Sequence, residues 1–142
     1  MSVETSIKII MNQADKILKE FEPFKECSEA RGIRNEVPKK AGVYIFYDKN
    51  SQKPLYVGET INLRRRLTEH HSNANAYKRS PFRKNLNDKY VKNWDKVQEY
   101  INCKCSFKYL ALNDHLDACI IERILIKHLN TPLNKMKEMK EG

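Results

Sequence analysis

Gly42-Val43-Tyr44-Ile45-Phe46-Tyr47, then Asp48-Lys49-Asn50-Ser51-Gln52, then Leu55-Tyr56-Val57-Gly58 follow one another in this chain. The first block is β-branched and aromatic, the second is turn chemistry, and the third returns to strand residues, so together they read as a β-hairpin. Gly58 is read as the end of the second strand and Thr60 as the N-cap of a basic helix that carries Leu63, Arg64, Arg65, Arg66, Leu67 and His70. At about 100° per residue, Leu67 lies about 40° from Leu63, with His70 about 20° and Arg66 about 60° to the other side. Arg66 and His70 therefore share the edge of the buried stripe, while Arg64 and Arg65 point outward. A snorkelling arginine and a half-buried histidine are the purely structural alternatives for that pair.

Upstream, residues 4–21 place Ile7, Ile10, Met11, Ala14, Ile17, Leu18 and Phe21 on one face of an amphipathic helix. Packing on the domain is its simplest use, and a homodimer contact is the alternative. Glu22 to Lys40, bounded by Pro23 and Pro38, reads as an irregular connection. Downstream, His71 to Ala76 reads as a loop, and Ser80-Pro81 opens a second basic helix to about Lys89. Tyr90 to Val97 reads as a helix end and connection, Cys103 to Leu112 as a third strand, and Asn113-Asp114 as the cap of a last helix from His115 to about Leu129. Lys135 to Gly142 reads as a flexible tail.

The chain has 142 residues, a single domain's length, with a formal charge of +9 and a pI near 9.4. Such a balance points to a polyanionic partner, DNA before an anionic membrane surface, with solubility alone as the bland alternative. No apolar run is long enough for a signal peptide core or a membrane span, which suggests a cytoplasmic protein. Its four cysteines then read as thiols or ligands rather than a disulfide framework.

The last helix is apolar around most of its circumference and should be largely buried, yet Glu122 falls between Ala118 and Leu129 with Leu125 and Ile126 alongside. A carboxylate there must be paired, hydrogen-bonded or bound to a metal. A buried ion pair, for instance with Arg66, competes evenly with a functional role. Cys103, Cys105, His115 and Cys119 have a spacing that permits zinc, as Cys-x-Cys…His-x₃-Cys, without being diagnostic of it. Small buried thiols are the simpler reading.

These residues resemble the GIY-YIG nuclease superfamily, the domain of homing endonucleases and of the excision-repair nuclease subunit. Gly42-Val43-Tyr44 and Tyr56-Val57-Gly58 match its two name-giving triplets. Arg66, ten residues after Tyr56, matches its catalytic arginine, His70 a position often held by histidine, and Glu122 its metal-binding glutamate, with Pro132 and Asn134 completing a C-terminal motif. The resemblance covers about residues 38–134, leaving an N-terminal helical extension (1–37) and the tail (135–142). It implies an α+β fold, a small three-stranded antiparallel β-sheet flanked by α-helices.

It also implies a metal-dependent DNA endonuclease. Glu122 would hold Mg²⁺ or Mn²⁺, Arg66 would offset phosphate charge, and Tyr44 and Tyr56, helped by His70, would position or deprotonate the attacking water. Arg64, Arg65, Lys78, Arg79, Arg83 and Lys84 would contact DNA phosphates. Where some family members carry lysine three residues after the second tyrosine, this chain has Glu59, which cannot depress a phenol pKa. A non-catalytic nucleic-acid-binding domain on the same scaffold is the alternative.

Overall fold

The computed structural model describes residues 1–19, 25–26, 36–71 and 80–134, the side chains of Lys25, Glu26 and His70 excepted. Helix α1 (Val3–Lys19) is followed by a two-residue strand β1 (Lys25–Glu26), the hairpin strands β2 (Gly42–Asp48) and β3 (Pro54–Thr60), and a short helix, Arg65–His71. Helices α2 (Pro81–Leu86) and α3 (Trp94–Lys104), strand β4 (Cys105–Ala111) and helix α4 (His115–Leu129) complete the order. The sheet runs β1-β4-β2-β3 with every pairing antiparallel. The three-stranded antiparallel sheet flanked by helices is as the resemblance implied, and β1 adds a minimal edge to it.

Alternation along β2 sends its side chains to two different cores. Tyr44 and Phe46 face Leu63, Leu67, Phe82, Leu86, Val97, Ile101, Phe107 and Leu133. Val43, Ile45 and Tyr47 face the other way, onto Ala14 and Ile17 of α1 and Ala118, Ile121 and Leu125 of α4. The N-terminal helix thus packs on the sheet through its second half, while Ile7 and Met11 remain exposed. Asp48 closes the hairpin by accepting from Asn50 N at 3.0 Å and Ser51 N at 2.9 Å, and Gln52 takes φ 59°. Phe46 pairs with Tyr56 and Tyr47 with Pro54, so Leu55 is an extra residue that bulges out of β3.

Several boundaries differ from the sequence reading. Gly58 does not end β3; it lies inside the strand, paired with Tyr44. Thr60 is the last strand residue, and Asn62 caps the following turn, accepting from Arg65 N at 3.2 Å. The stretch around Trp94 is the start of a helix, capped by Asn93, which accepts from Asp95 N at 3.1 Å. That helix carries on through Lys104, so Cys103 is helical and the third long strand begins only at Cys105. Ser80 and Asp114 cap α2 and α4 as anticipated. The connection around residues 27–35, the loop after His71 and the tail lie outside the described residues.

Helix α4 is less buried than its composition suggests. Ala118, Ile121 and Leu125 meet the sheet, whereas Leu116, Ile120 and Ile124 are exposed. The helix lies on one face of a small sheet, and a single layer covers only one side of it. No helix of the described residues is long and apolar enough to cross a membrane.

Candidate active site

Tyr44, Phe46, Tyr56 and Gly58 share one face of the hairpin, because β2 and β3 place Tyr44 opposite Gly58 and Phe46 opposite Tyr56. Gly58 is required by this arrangement rather than by a turn: a Cβ there would lie 2.2 Å from the Tyr44 ring. Gly42 is similarly confined, since a Cβ would lie 2.4 Å from the Leu110 carbonyl oxygen and 2.5 Å from Leu63. With Gly58 beneath it, the Tyr44 ring settles 6.4 Å from that of Tyr56 and 5.2 Å from the imidazole of His71. Phe46 and Phe82, stacked at 4.0 Å, wall the pocket from below.

The histidine on Tyr44 is His71. Its Nε2 lies 2.7 Å from the Tyr44 hydroxyl, and its Nδ1 contacts the hydroxyl of Ser80. The helix Arg65–His71 winds with wide turns that advance each residue by less than the 100° or so of an α-helix. Leu63, Leu67 and His71, spaced four apart, therefore all fall on the fully buried stripe. The α-helical projection had singled out His70 and not His71 for this stripe. The side chain of His70 itself lies outside the described residues.

Ser80 also accepts from Arg83 N at 3.1 Å, and Arg83 Nη1 donates to the His71 carbonyl oxygen at 3.3 Å and to Gln98 Oε1 at 2.7 Å. Arg83 is 1% exposed. The expectation that it contacts DNA from the surface is corrected: it faces inward from α2 and braces the segment carrying His71. Arg64 is also more engaged than predicted, its Nε donating to the Val37 carbonyl oxygen at 2.7 Å. Arg65 and Lys84 are exposed, as read from the sequence, and Lys78 and Arg79 lie outside the described residues.

Arg66 and Glu122 reach the tyrosines electrostatically from two further elements. Burial holds the Tyr44 phenol well above its ordinary pKa of 10; the neighbouring Tyr56 and the charges of Glu122 and Glu59 add to this, and Arg66 opposes it. Burial likewise raises Tyr56, with Glu122 and Glu59 adding and Arg66 opposing. Glu122 was expected on a buried face; its side chain is instead 20% exposed, with Oε1 3.7 Å from Arg123 Nε. A partly accessible carboxylate is a hard oxygen donor, and it suits a divalent cation that keeps most of its water. The donor set fits Mg²⁺ or Mn²⁺.

Sequence reasoning passed over Asn134 as a side chain with a task. Its Oδ1 accepts from Val57 N at 2.7 Å and its Nδ2 donates to Val57 O at 2.9 Å, so it satisfies the open edge of β3 between Tyr56 and Gly58. Asn85 holds this C-terminal turn in place by donating to the Leu133 carbonyl oxygen at 3.0 Å. The signal was present in an Asn next to Pro132 and Leu133, but its partner is 77 residues away.

The four cysteine and histidine positions considered for zinc do not converge. Cys103 ends α3 in solvent, and Cys105 is buried in the strand, where burial pushes its thiol up to about 12. Cys105 sits opposite Asp48 at one end of the sheet, and His115 and Cys119 follow the other end of β4, about 20 Å away at about 3.3 Å per residue.

The GIY-YIG catalytic domain family matches residues 40–137. UvrABC system protein C of Finegoldia magna is 32% identical over 97 residues, 68% of this chain and 13% of that protein. Its counterpart from Petrotoga mobilis is 30% identical over 96 residues, 68% of this chain and 14% of that one. Excinuclease cho of Escherichia coli strain K12 is 38% identical over 40 residues, 28% of this chain and 14% of that protein. The chain therefore spans about one seventh of the length of these curated relatives. Among solved structures, the GIY-YIG N-terminal endonuclease domain of UvrC from Thermotoga maritima, bound to magnesium, is 24% identical, with 74% of this chain and 94% of that one covered and a TM-score of 0.45. With both triplets on paired neighbouring strands and a family match over most of the chain, the protein belongs to the GIY-YIG family.

Proposed function

We propose that this chain is a metal-dependent DNA endonuclease. The reading is supported above all by the charge of Glu122 and the charge of Arg66 both acting on Tyr44 and Tyr56, although the four residues come from four separate elements. Two neutral phenols, one fixed cation and one accessible carboxylate around a single pocket suit an anionic substrate that gains charge during reaction.

Glu122 would hold Mg²⁺ or Mn²⁺, which when bound supplies Lewis-acid stabilisation of a phosphodiester. Arg66 would bind a non-bridging phosphate oxygen. Since burial keeps both phenols protonated near neutral pH, neither is a ready-made base. In the tautomer this route requires, His71 Nδ1–H would donate to Ser80 and Nε2 would accept from the Tyr44 hydroxyl. Tyr44 would take a proton from the attacking water while passing its own to His71 Nε2, so no free tyrosinate is needed. Tyr56 would orient the water or phosphate from the opposite strand. Arg65 and Lys84 would contribute salt-dependent contacts to the DNA backbone.

The test is a cleavage panel of duplex, branched and single-stranded DNA in Mg²⁺ and in Mn²⁺. Cleavage is expected for the wild type and should be lost in Glu122→Gln and Arg66→Ala proteins that melt normally and still bind DNA in EDTA. Tight binding in EDTA with no cleavage of any substrate in either metal would instead identify a non-catalytic binding domain.

A further inference from the structure

We propose that Glu59, His115 and Cys119 form a transition-metal site for Zn²⁺, separate from the Glu122 carboxylate. Glu59 pairs with Val43 on the hairpin, so it lies on the sheet face opposite Tyr44, the one covered by α4. His115 stands in the first turn of α4 beside its Asp114 cap, and Cys119, four residues later, lies above it on the same side of the helix. One atom from each of the three lies within 4.8 Å of the others. Cys119 Sγ is 3.7 Å from His115 Nε2, and Nε2 in turn contacts Glu59 Oε2.

The Cys119–His115 separation matches an edge of a coordination shell, and the Glu59 carboxylate, now hydrogen-bonded to His115, would swing outward to ligate. A tetrahedral centre with Zn–S of about 2.3 Å and Zn–N of about 2.0 Å has an S···N edge of about 3.5 Å. Sulfur, imidazole and carboxylate together select Zn²⁺, since Mg²⁺ takes all-oxygen shells. Binding would release the proton of the Cys119 thiol, while the proton between His115 Nε2 and Glu59 would move to His115 Nδ1 and free Nε2 as a ligand. The thiolate and carboxylate then balance the cation, and water completes the shell. The side chains of His115 and Glu59 are 42% and 28% exposed, which leaves a path for the ion.

The site would join the end of β3 to the first turn of α4, the strand that bears Tyr56 to the helix that bears Glu122. The Cys103 and Cys105 thiols take no part, which distinguishes it from a site of four ligands spanning β4. It does not depend on nuclease activity.

The test uses the full chain stripped with EDTA, desalted and titrated with Co²⁺ and Zn²⁺. We expect a thiolate-to-cobalt charge-transfer band that Zn²⁺ displaces at about one ion per chain, and a melting temperature raised by Zn²⁺. The band and the shift should disappear in Cys119→Ser and weaken in Glu59→Gln, whose EDTA melting curves verify folding. They should persist in Cys103→Ser and in Glu122→Gln, so a failure of the Mg²⁺ reading leaves this result untouched. A wild type with neither band nor shift, or a Cys119→Ser protein that keeps both, would overturn the site; should Cys119→Ser fail to fold, undiminished binding in Glu59→Gln would do the same.

Discussion

The hydroxyl of Tyr44 and Nε2 of His71 lie 2.7 Å apart inside the protein, one on the central strand and the other at the end of a wide-turned helix. His71 is the only acceptor within hydrogen-bonding distance of that phenol among the described contacts. Replacing it with alanine leaves a buried phenol unsatisfied, which costs about 1–3 kcal/mol. It also removes the proposed proton acceptor, an effect of about 10²-fold or more in general-base catalysis. His71→Ala should therefore lose cleavage rate beyond what its fall in melting temperature explains. Single-turnover rates measured well below that temperature check it, and an unchanged rate would remove His71 from the reaction.

Gly58→Ala should disturb the Tyr44 phenol directly. The new methyl would meet the Tyr44 ring and hydroxyl at 2.2 Å, and a buried ring packed among Phe46, Tyr56 and His71 cannot swing away freely. We expect a destabilisation of about 1–3 kcal/mol from overpacking. Displacement of the phenol should also reduce cleavage by about 10²-fold, because an error of about 1 Å in a reacting group has that effect. Urea denaturation and cleavage rates measured side by side separate the two.

Arg83 and its neighbour Lys84 should behave in opposite ways. Arg83→Ala breaks contacts to the His71 carbonyl and Gln98 in the interior, so stability falls by about 2–4 kcal/mol while DNA affinity in the folded protein changes little. Lys84→Ala and Arg65→Ala leave the melting temperature alone. Each should reduce the slope of log affinity against log salt by about one. A salt titration of DNA binding for the three variants decides the matter; an Arg83→Ala protein that melts normally but binds DNA weakly would restore the surface role.

Asn134→Ala should loosen the edge strand that bears Tyr56. Two hydrogen bonds to Val57 are lost on an edge with no neighbouring strand among the described residues, and we expect about 1–3 kcal/mol of destabilisation. Asn134→Asp keeps the acceptor to Val57 N and loses only the donor, so it should fall between alanine and the wild type. Hydrogen exchange at the Val57 amide gives the local readout.

Alkaline pH should unfold the protein through its buried phenols. Burial raises Tyr44, Tyr56 and Tyr47 above 10, Tyr47 to about 12. The folded state binds those protons more tightly than the unfolded chain does, so their contribution is complete below about pH 10 and declines as the pH rises from there toward the folded values. Melting temperature should drop steeply between about pH 10 and 12, together with a late rise in tyrosinate absorbance. Tyr47→Phe should flatten part of that drop.

The hairpin, its polar turn, both triplets and the caps Ser80 and Asp114 were legible in the sequence, because each depends on local spacing or on a motif confined to a few neighbouring residues. The choice between His70 and His71 was not. It depends on the winding of a short helix, which brings His71 onto the buried stripe with Leu63 and Leu67. Arg83 looked like one more surface cation until α2 turned it inward toward Gln98, 15 residues on. Asn134 and Val57, and likewise Glu59 with His115 and Cys119, lie 77 and 56 residues apart and are joined only by the way α4 crosses the sheet. Local chemistry determined which elements form and where the triplets stand. Only the packing of those elements, driven by burial of the two faces of one small sheet, decided which distant polar groups meet.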